Sequence, residues 1–281
     1  MSEQDTEKKV HIIMTCSLQN DFIEKIEPSK NKQKEIKLSF DTCQKAWNDY
    51  FFNSKIKIEK KNVDDFLIWL KKEKIQYEDK NVSFSYGDLI EKYKHRVHIN
   101  YEETKRLWDD NKLNLFLTDL MKKKYYFIHL RDWHDPTDKD QRGELDFFGN
   151  HCLKGTYGAY FVSPIKNGIK NNMEHNLIVN SNSLSSFSET KLESVLNLIL
   201  NNEKSSKTKV VTGVFGVITN VKVLLLTFEL MVIHGYRNVF ICQDACAGFN
   251  KERHDQGIGY ISGVFGAKIL NQEQFRQKFN F

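Results

Sequence analysis

Continuous apolar runs, not alternating ones, mark the strands of this chain. Val10–Met14, Tyr125–Leu130 and Asn238–Cys242 each read as strands buried on both faces, with Lys209–Phe215 and Leu177–Val179 as shorter or less pure members of the same class. A parallel sheet covered on both sides requires such runs. Helical spacing lies between several of them. Leu192–Leu200 follows a Ser188/Glu189 start signal, Leu113–Met121 leads into the Tyr125 run, and Val223–His234 stops at Gly235, as a helix C-terminus should. The alternation predicts an α/β fold, a doubly wound, mostly parallel sheet flanked by helices, with its site at the carboxyl ends of the strands. From Glu24 to about Lys112 the alternation lapses, and Lys, Asn, Glu and aromatic residues dominate. Asn62–Lys74 reads there as a helix, capped by Asn62, with Asp64 and Asp65 at the positive end of its dipole and Phe66, Leu67 and Leu70 on one face. The apolar content of this stretch is too thin for an independent core. The expectation is one domain, residues 1–281, with a helical insertion at 24–112 after the first strand.

Composition narrows the class. With 281 residues, 40% of them hydrophobic and 28% charged, intrinsic disorder and a collagen-like repeat are excluded, and the chain is long enough to bury a core without staples. Five scattered cysteines with no Cys-x-x-Cys pair argue against a disulfide framework and a zinc knuckle. A reducing, cytoplasmic compartment is the expectation. Met1–Lys9 is polar, so no signal peptide is expected. The longest hydrophobic region, Val210–Ile233, is interrupted by Asn220, Lys222 and Glu229, and reads as buried core, not a membrane span. The formal charge of +5 is dispersed among acidic residues, so neither a nucleic-acid nor a membrane partner is expected.

Four segments carry chemistry, each beside a predicted strand or helix. Ser17-Leu18-Gln19-Asn20-Asp21-Phe22 follows the first strand, and Arg131-Asp132-Trp133-His134 follows the second. Gly149-Asn150-His151-Cys152-Leu153-Lys154-Gly155-Thr156-Tyr157-Gly158-Ala159 is the third. The fourth, Gly216-Val217-Ile218-Thr219-Asn220-Val221-Lys222-Val223, opens a helix and is followed by Gln243-Asp244-Ala245-Cys246-Ala247-Gly248. In this order the segments resemble the isochorismatase-like cysteine hydrolases, a family that includes nicotinamidases and N-carbamoylsarcosine amidases. The resemblance covers the first strand and nearly everything from Tyr125 onward. It implies a parallel sheet flanked by helices and an Asp, Lys and Cys triad whose thiolate attacks an amide or nitrile carbon. A thiol at a helix N-terminus has its pKa lowered by the dipole, a carboxylate shuttles its proton, and nearby backbone N–H groups stabilise the oxyanion.

Carried over position by position, all three triad types are replaced. Ser17 stands where the motif opens with Asp, and Asn180 falls where the Lys would end the strand ahead of Ser185-Ser186-Phe187. Lys222 follows Gly216 and Thr219 in the place of the nucleophile. Cys16, adjacent in the first strand, should face the other side of it. No cysteine lies between Cys152 and Cys242 to start the helix after Gly216. The formal charge at the three positions moves from about −1 toward +1 at neutral pH. An ammonium in the first turn of a helix meets a like partial charge, so Lys222 must reach a carboxylate or solvent, shift its pKa downward, or meet an anion. The bland alternative is a lysine that plugs a dead pocket and snorkels to water.

The resemblance also implies a metal site. Asp132 and His134 match the Asp-x-His pair of nicotinamidases and His151 a further ligand, while Glu144, Asp146 or Asp140 stands in for a histidine that is missing. Carboxylate and imidazole suit zinc or another divalent metal, and no other cofactor is implied. The alternative is that Asp132 and His134 are a hydrogen-bonded pair bracing the loop. The leading functional expectation is a catalytically degenerate member, a pseudoenzyme binding a small ligand, an anion among the candidates, or a protein partner through Lys222, Ser17 and Thr219. The alternatives are an amide or ester hydrolase using Ser17 with Lys222 as its base, or a metal-dependent hydrolase at Asp132, His134 and His151. Homo-oligomers are common in the family and are expected on that ground alone.

Overall fold

A computed structural model describes residues 9–23, 36–37, 83–84, 101–108, 112–135, 137–138, 144–145, 148 and 151–281. The expected helix Asn62–Lys74 lies outside the described residues. The strands in chain order are β1 (Val10–Cys16), the two-residue β2 (Ile36–Lys37) and β3 (Ser83–Phe84), β4 (Tyr126–Asp132), β5 (Asn176–Ser181), β6 (Val210–Val217), β7 (Val239–Ala247) and β8 (Lys268–Leu270). The chain forms two compact units.

The first unit comprises Met1–Leu18, Ile99–Asp132 and Phe161–Phe281, and it holds a six-stranded sheet of order β5-β4-β1-β6-β7-β8. Every pairing in that sheet is parallel. The chain runs outward from β1 through β4 to β5, then returns to the other side of β1 with β6. That reversal creates a switch point between β1 and β6, where doubly wound sheets place their ligands. All eight residues of β6 are buried, as befits a central strand covered on both faces.

Two residues of β6 show why glycine is needed there. A Cβ on Gly213 would lie 2.5 Å from Phe275 and 2.9 Å from Phe279, inside an aromatic cluster that also takes in Phe116 and Phe215. Gly216 has φ +131, and a Cβ on it would sit 2.2 Å from the carbonyl oxygen of Cys16, its register partner on β1. A side chain at Gly216 would push β1 and β6 apart at the switch point.

The apolar runs locate five of the six strands of this sheet, and the differences are local. β7 extends to Ala247 because a register irregularity between Val214 and Gly216 lets it pair again at Cys246 and Ala247. The Gln243–Ala247 stretch read as a strand exit is therefore still strand, bent by a bulge. The helix after β6 begins at Thr219, four residues before the expected start, and its first turn closes with a wide Val223 N–H to Ile218 carbonyl bond of 3.3 Å. It ends at Ile233, ahead of Gly235 at φ +73. Ahead of the Leu192–Asn202 helix, the Thr190 hydroxyl accepts from the Leu192 N–H at 3.1 Å. Among the described residues, no helix is long and apolar enough to cross a membrane.

The second unit comprises Gln19–His98 and Trp133–Tyr160. Its described parts include the antiparallel β2–β3 pair and a short helix, Asn20–Ile23. The first and third sequence motifs meet here. Asn20 N–H donates to Tyr160 O at 3.0 Å, Gln19 Nε2 to Ala159 O at 2.9 Å, and Asp21 Oδ2 accepts from the Cys152 N–H at 2.7 Å.

One buried histidine of the first unit gives the fold a pH dependence. His129 on β4 is fully buried and ring-stacked on Phe127. Its Nε2 lies 3.0 Å from Asn176 Oδ1, an acceptor, so Nε2 carries the proton and Nδ1 accepts from Thr15 Oγ1 at 2.8 Å. Burial lowers its pKa from 6.5 to about 4. Between those values the unfolded chain binds more protons, so this stabilisation is complete above pH 6.5 and is lost as pH falls toward 4. The loss is on the order of 3 kcal/mol. Urea unfolding followed from neutral pH down to about pH 4 should show this slope, and His129→Gln should flatten it; equal slopes in the two proteins would contradict the assignment.

Candidate functional site

The site of the first unit lies at the carboxyl ends of β1 and β4 and the start of the helix after β6. Ser17 is the residue at which β1 stops being extended. Its φ is +47, rare for a residue with a Cβ, although its N–H still donates to Leu130 O of β4 at 3.0 Å. That turn directs the buried Ser17 hydroxyl to Asp132 Oδ1, at 3.4 Å. Asp132 ends β4 on its buried side, since Arg131 before it is only half-buried.

Lys222 completes the arrangement. From the first turn of the Thr219–Ile233 helix its Nζ lies 3.0 Å from the same Asp132 Oδ1, and the two side chains are only 7% and 3% exposed. The ammonium also donates to the carbonyl oxygen of Ser183, in the segment after β5, at 2.6 Å. Of the alternatives open to a lysine at a helix start, this chain uses the carboxylate. The pair is formally neutral, and the carboxylate offsets the repulsion between the ammonium and the positive helix end. A lysine held this way is a donor, with no lone pair to offer as a base.

Of the three positions assigned to the family triad, the structure brings Ser17 and Lys222 together on Asp132. Asn180 is placed apart from them. It is exposed on β5, where its Oδ1 accepts from Arg131 Nε at 2.9 Å, and register sets Ser181, not Asn180, beside Asp132. Strand alternation gives Asn180 and Ser181 opposite faces. Thr219 is buried, with its hydroxyl 2.9 Å from His254 Nδ1. Burial, assisted by the Arg106 charge, lowers the His254 pKa to about 4, so the ring is neutral at pH 7. On the β7 side, Glu103 of the Tyr101–Trp108 helix accepts from the Gly248 N–H at 3.2 Å and from Arg106 Nη2 at 3.0 Å.

The thiols of this unit are not poised for attack. Cys16 is fully buried, and burial together with the neighbouring Cys246 pushes its pKa well above the ordinary thiol value. Burial raises Cys246 to about 12 and moves Cys242 in the same direction. Thiolate, the nucleophilic form, is scarce at neutral pH for all three.

The second unit holds a group suited to a metal. His134 donates its backbone N–H to Cys152 O at 3.2 Å and accepts from the Lys154 N–H at 2.8 Å, which fixes it against the third motif. The His134 and His151 ring centroids are 4.6 Å apart, and His151 Nε2 lies 3.7 Å from Glu144 Oε1. Each of the three offers a ligand atom within 4.8 Å of the others. Two imidazoles and a carboxylate are a donor set that fits zinc or a similar divalent ion. Of the three acidic stand-ins Glu144 lies beside His151; Asp140 and Asp146 lie outside the described residues.

Sheet order and the strand-end motifs at the switch point define a doubly wound α/β protein. The Isochorismatase domain model matches residues 111–274, more than half of the chain, and the chain belongs to that family. Among solved structures it is similar to a nicotinamidase from Bacillus subtilis, at 14% identity over 93% of this chain and 99% of that one with a TM-score of 0.56. It is similar to an isochorismatase-like hydrolase from Alkaliphilus metalliredigens, at 15% identity over 96% and 98% with a TM-score of 0.52. A pyrazinamidase of Pyrococcus horikoshii in complex with zinc matches at 16% identity over 93% and 98%, also with a TM-score of 0.52. At such identities the likeness is one of fold. No curated protein matches the chain significantly.

The buried pair makes an energetic prediction. Asp132→Asn or Lys222→Met alone leaves an uncompensated buried charge and should cost about 3 kcal/mol or more, whereas the double variant should lose clearly less than the two single losses combined. Urea unfolding of the four proteins measures the coupling, and simple additivity would mean that the two groups do not interact.

Proposed function

We propose that this protein is a catalytically degenerate isochorismatase-family member that acts by binding, not by hydrolysis. The observation that carries the reading is the Lys222–Asp132 ion pair, 3.0 Å long and buried, at the position assigned to the nucleophile. A protonated lysine cannot attack a carbonyl, and the buried thiols of Cys16, Cys242 and Cys246 are held as neutral S–H. Because Asp132 neutralises Lys222, the ligand that suits the site is a small, uncharged, hydrogen-bonding molecule in place of an anion. A protein partner, assembly into homo-oligomers and a cytoplasmic location belong to the same proposal and rest on the sequence reading alone.

A second reading has one specific support, the Ser17 hydroxyl donating to Asp132 Oδ1. There Asp132, not Lys222, would take the proton from Ser17 as its oxygen attacks an amide or ester carbon, and Lys222 would hold the carboxylate in place. The 3.4 Å length of that contact and the sharing of one oxygen with an ammonium weaken the base, which ranks this reading second.

His134, Glu144 and His151 would hold a divalent metal, with zinc the first candidate from the donor types. When bound, such an ion supplies Lewis-acid polarisation. One structural neighbour, the Pyrococcus pyrazinamidase, is a zinc complex.

Purified protein incubated with nicotinamide, and separately with N-carbamoylsarcosine, should release no ammonia above the Lys222→Ala background. Turnover that Lys222→Ala abolishes would refute the binding reading, and labelling of Ser17 by an electrophilic phosphonate would promote the second. For the metal, elemental analysis of protein purified without added ions should find zinc or a related ion at about one per chain. His134→Ala and His151→Ala should each remove it; metal retained in both would place it elsewhere.

A further inference from the structure

The segment after β5 is fastened at two points by one helix. Lys222 and Glu229 stand seven residues apart on the Thr219–Ile233 stretch, a spacing that puts both on one face. Lys222 Nζ donates to the Ser183 carbonyl at 2.6 Å. Glu229 Oε2 accepts from the Ser186 N–H at 3.1 Å, and Glu229 Oε1 accepts from the Ser185 hydroxyl. Beyond these, Phe187 stacks on His234, with ring centroids 3.9 Å apart and planes 18° from parallel. Inside the segment, the Ser181 hydroxyl donates to the carbonyls of Ser183 and Ser185 at 2.7 and 2.9 Å, and Ser185 Oγ accepts from the N–H groups of Phe187 and Ser188. Residues 181–190 are thus knotted internally and tied outward by a cation, a carboxylate and a ring.

We infer that residues 181–190 form an autoinhibitory strap, with Lys222 and Glu229 as its fasteners, that closes the strand-end crevice at Ser17. The geometry is direct. The ammonium that grips the strap at Ser183 is the same one that holds Asp132 Oδ1, and Ser17 donates to that same oxygen. The strap's backbone is therefore linked to the Ser17 hydroxyl through two side chains, Lys222 and Asp132. A cation in place of a nucleophile gains a second task, since the ammonium has donors enough for both the carboxylate and the strap carbonyl. The strap does not rest on the binding reading, because it concerns access to the site and not what happens inside it.

Phe187 supplies the readout. Chymotrypsin cuts after an aromatic residue only once the surrounding segment opens, so cleavage after Phe187 reports strap release. In native full-length protein, Lys222→Met, which keeps the bulk and loses the donors, should speed cleavage after Phe187 about tenfold. Glu229→Ala, which leaves Lys222 and Asp132 intact, should do the same, and Lys222→Arg should stay near the wild-type rate. If Lys222→Met fails to fold, judged by far-UV circular dichroism, Glu229→Ala decides the matter. Entry is tested with iodoacetamide on Ser17→Cys protein, the alkylated residue being located by peptide fragmentation. Adding Glu229→Ala should accelerate modification at position 17. Unchanged protection of Phe187 in the folded variants, or equal alkylation with and without Glu229, overturns the strap. Ammonia release in the hydrolysis assays bears on the binding reading and leaves this result untouched.

Discussion

The contact between the Lys222 ammonium and the Asp132 carboxylate is the constraint on which the rest of the site depends. Two full charges sit with side-chain exposures of 7% and 3%, where each alone would cost several kcal/mol to bury. Such a pair persists only if its remaining hydrogen-bonding capacity is met. Ser17 and the Ser183 carbonyl meet part of it, the one bonding to the anion and the other to the cation. The geometry of β1's end, β4's end and the strap is therefore set by one electrostatic requirement. Removing either charge leaves the other stranded in a medium too poor to solvate it, so the arrangement is cooperative.

The helix that supplies Lys222 shows how an apolar segment tolerates this chemistry. Val210–Ile233 contains three polar interruptions, and two of them, Lys222 and Glu229, hold the segment after β5. The third, Asn220, packs its backbone against Gly257, where a Cβ would come within 2.9 Å. Each interruption sits where it has a partner or a close neighbour, and Val223, Leu226 and Leu230, on the same stretch, are fully buried. A membrane segment would have no use for this pattern; a helix lying on a parallel sheet with one end at the switch point needs it.

Much of the fold was legible because central parallel strands must be apolar on both faces, and that leaves a plain mark. β8 left none: three residues, Lys268–Leu270, are too few to make a run. The closing helix, Gln272–Lys278, was signalled by Asn271 and Gln274, which form a capping box in the structure, but the signal is short and had no apolar stripe long enough to support it. Within the site, Ser17 and Lys222 were legible from motif order alone. The partnership of Lys222 with Asp132 was not, because it joins residues ninety positions apart and local pattern carries no distance. Asn180 illustrates the opposite difficulty. One residue of phase separates it from the buried Ser181, and an anchor taken from spacing cannot resolve a single step of alternation. Glu144 was one of three acidic stand-ins that spacing left open, and its place beside His151 could not be read from local pattern.

The motif residues around the site do structural work that can be read directly from their contacts. Asp21 anchors the Cys152 amide, and Gly158 lies so close that a Cβ would fall 2.1 Å from the Asp21 carboxylate. Gln19 holds the Ala159 carbonyl. Gly248 admits the backbone of His254, which would meet a Cβ at 2.6 Å, and His254 in turn braces Thr219 at the helix start. Gly216 lets β6 close on Cys16. These residues hold strands and loops together by direct packing and hydrogen bonding, and none of them requires a thiolate nearby. The motifs of this chain therefore have a structural use of their own: they hold its strand ends and loops together beside the buried Lys222–Asp132 ion pair.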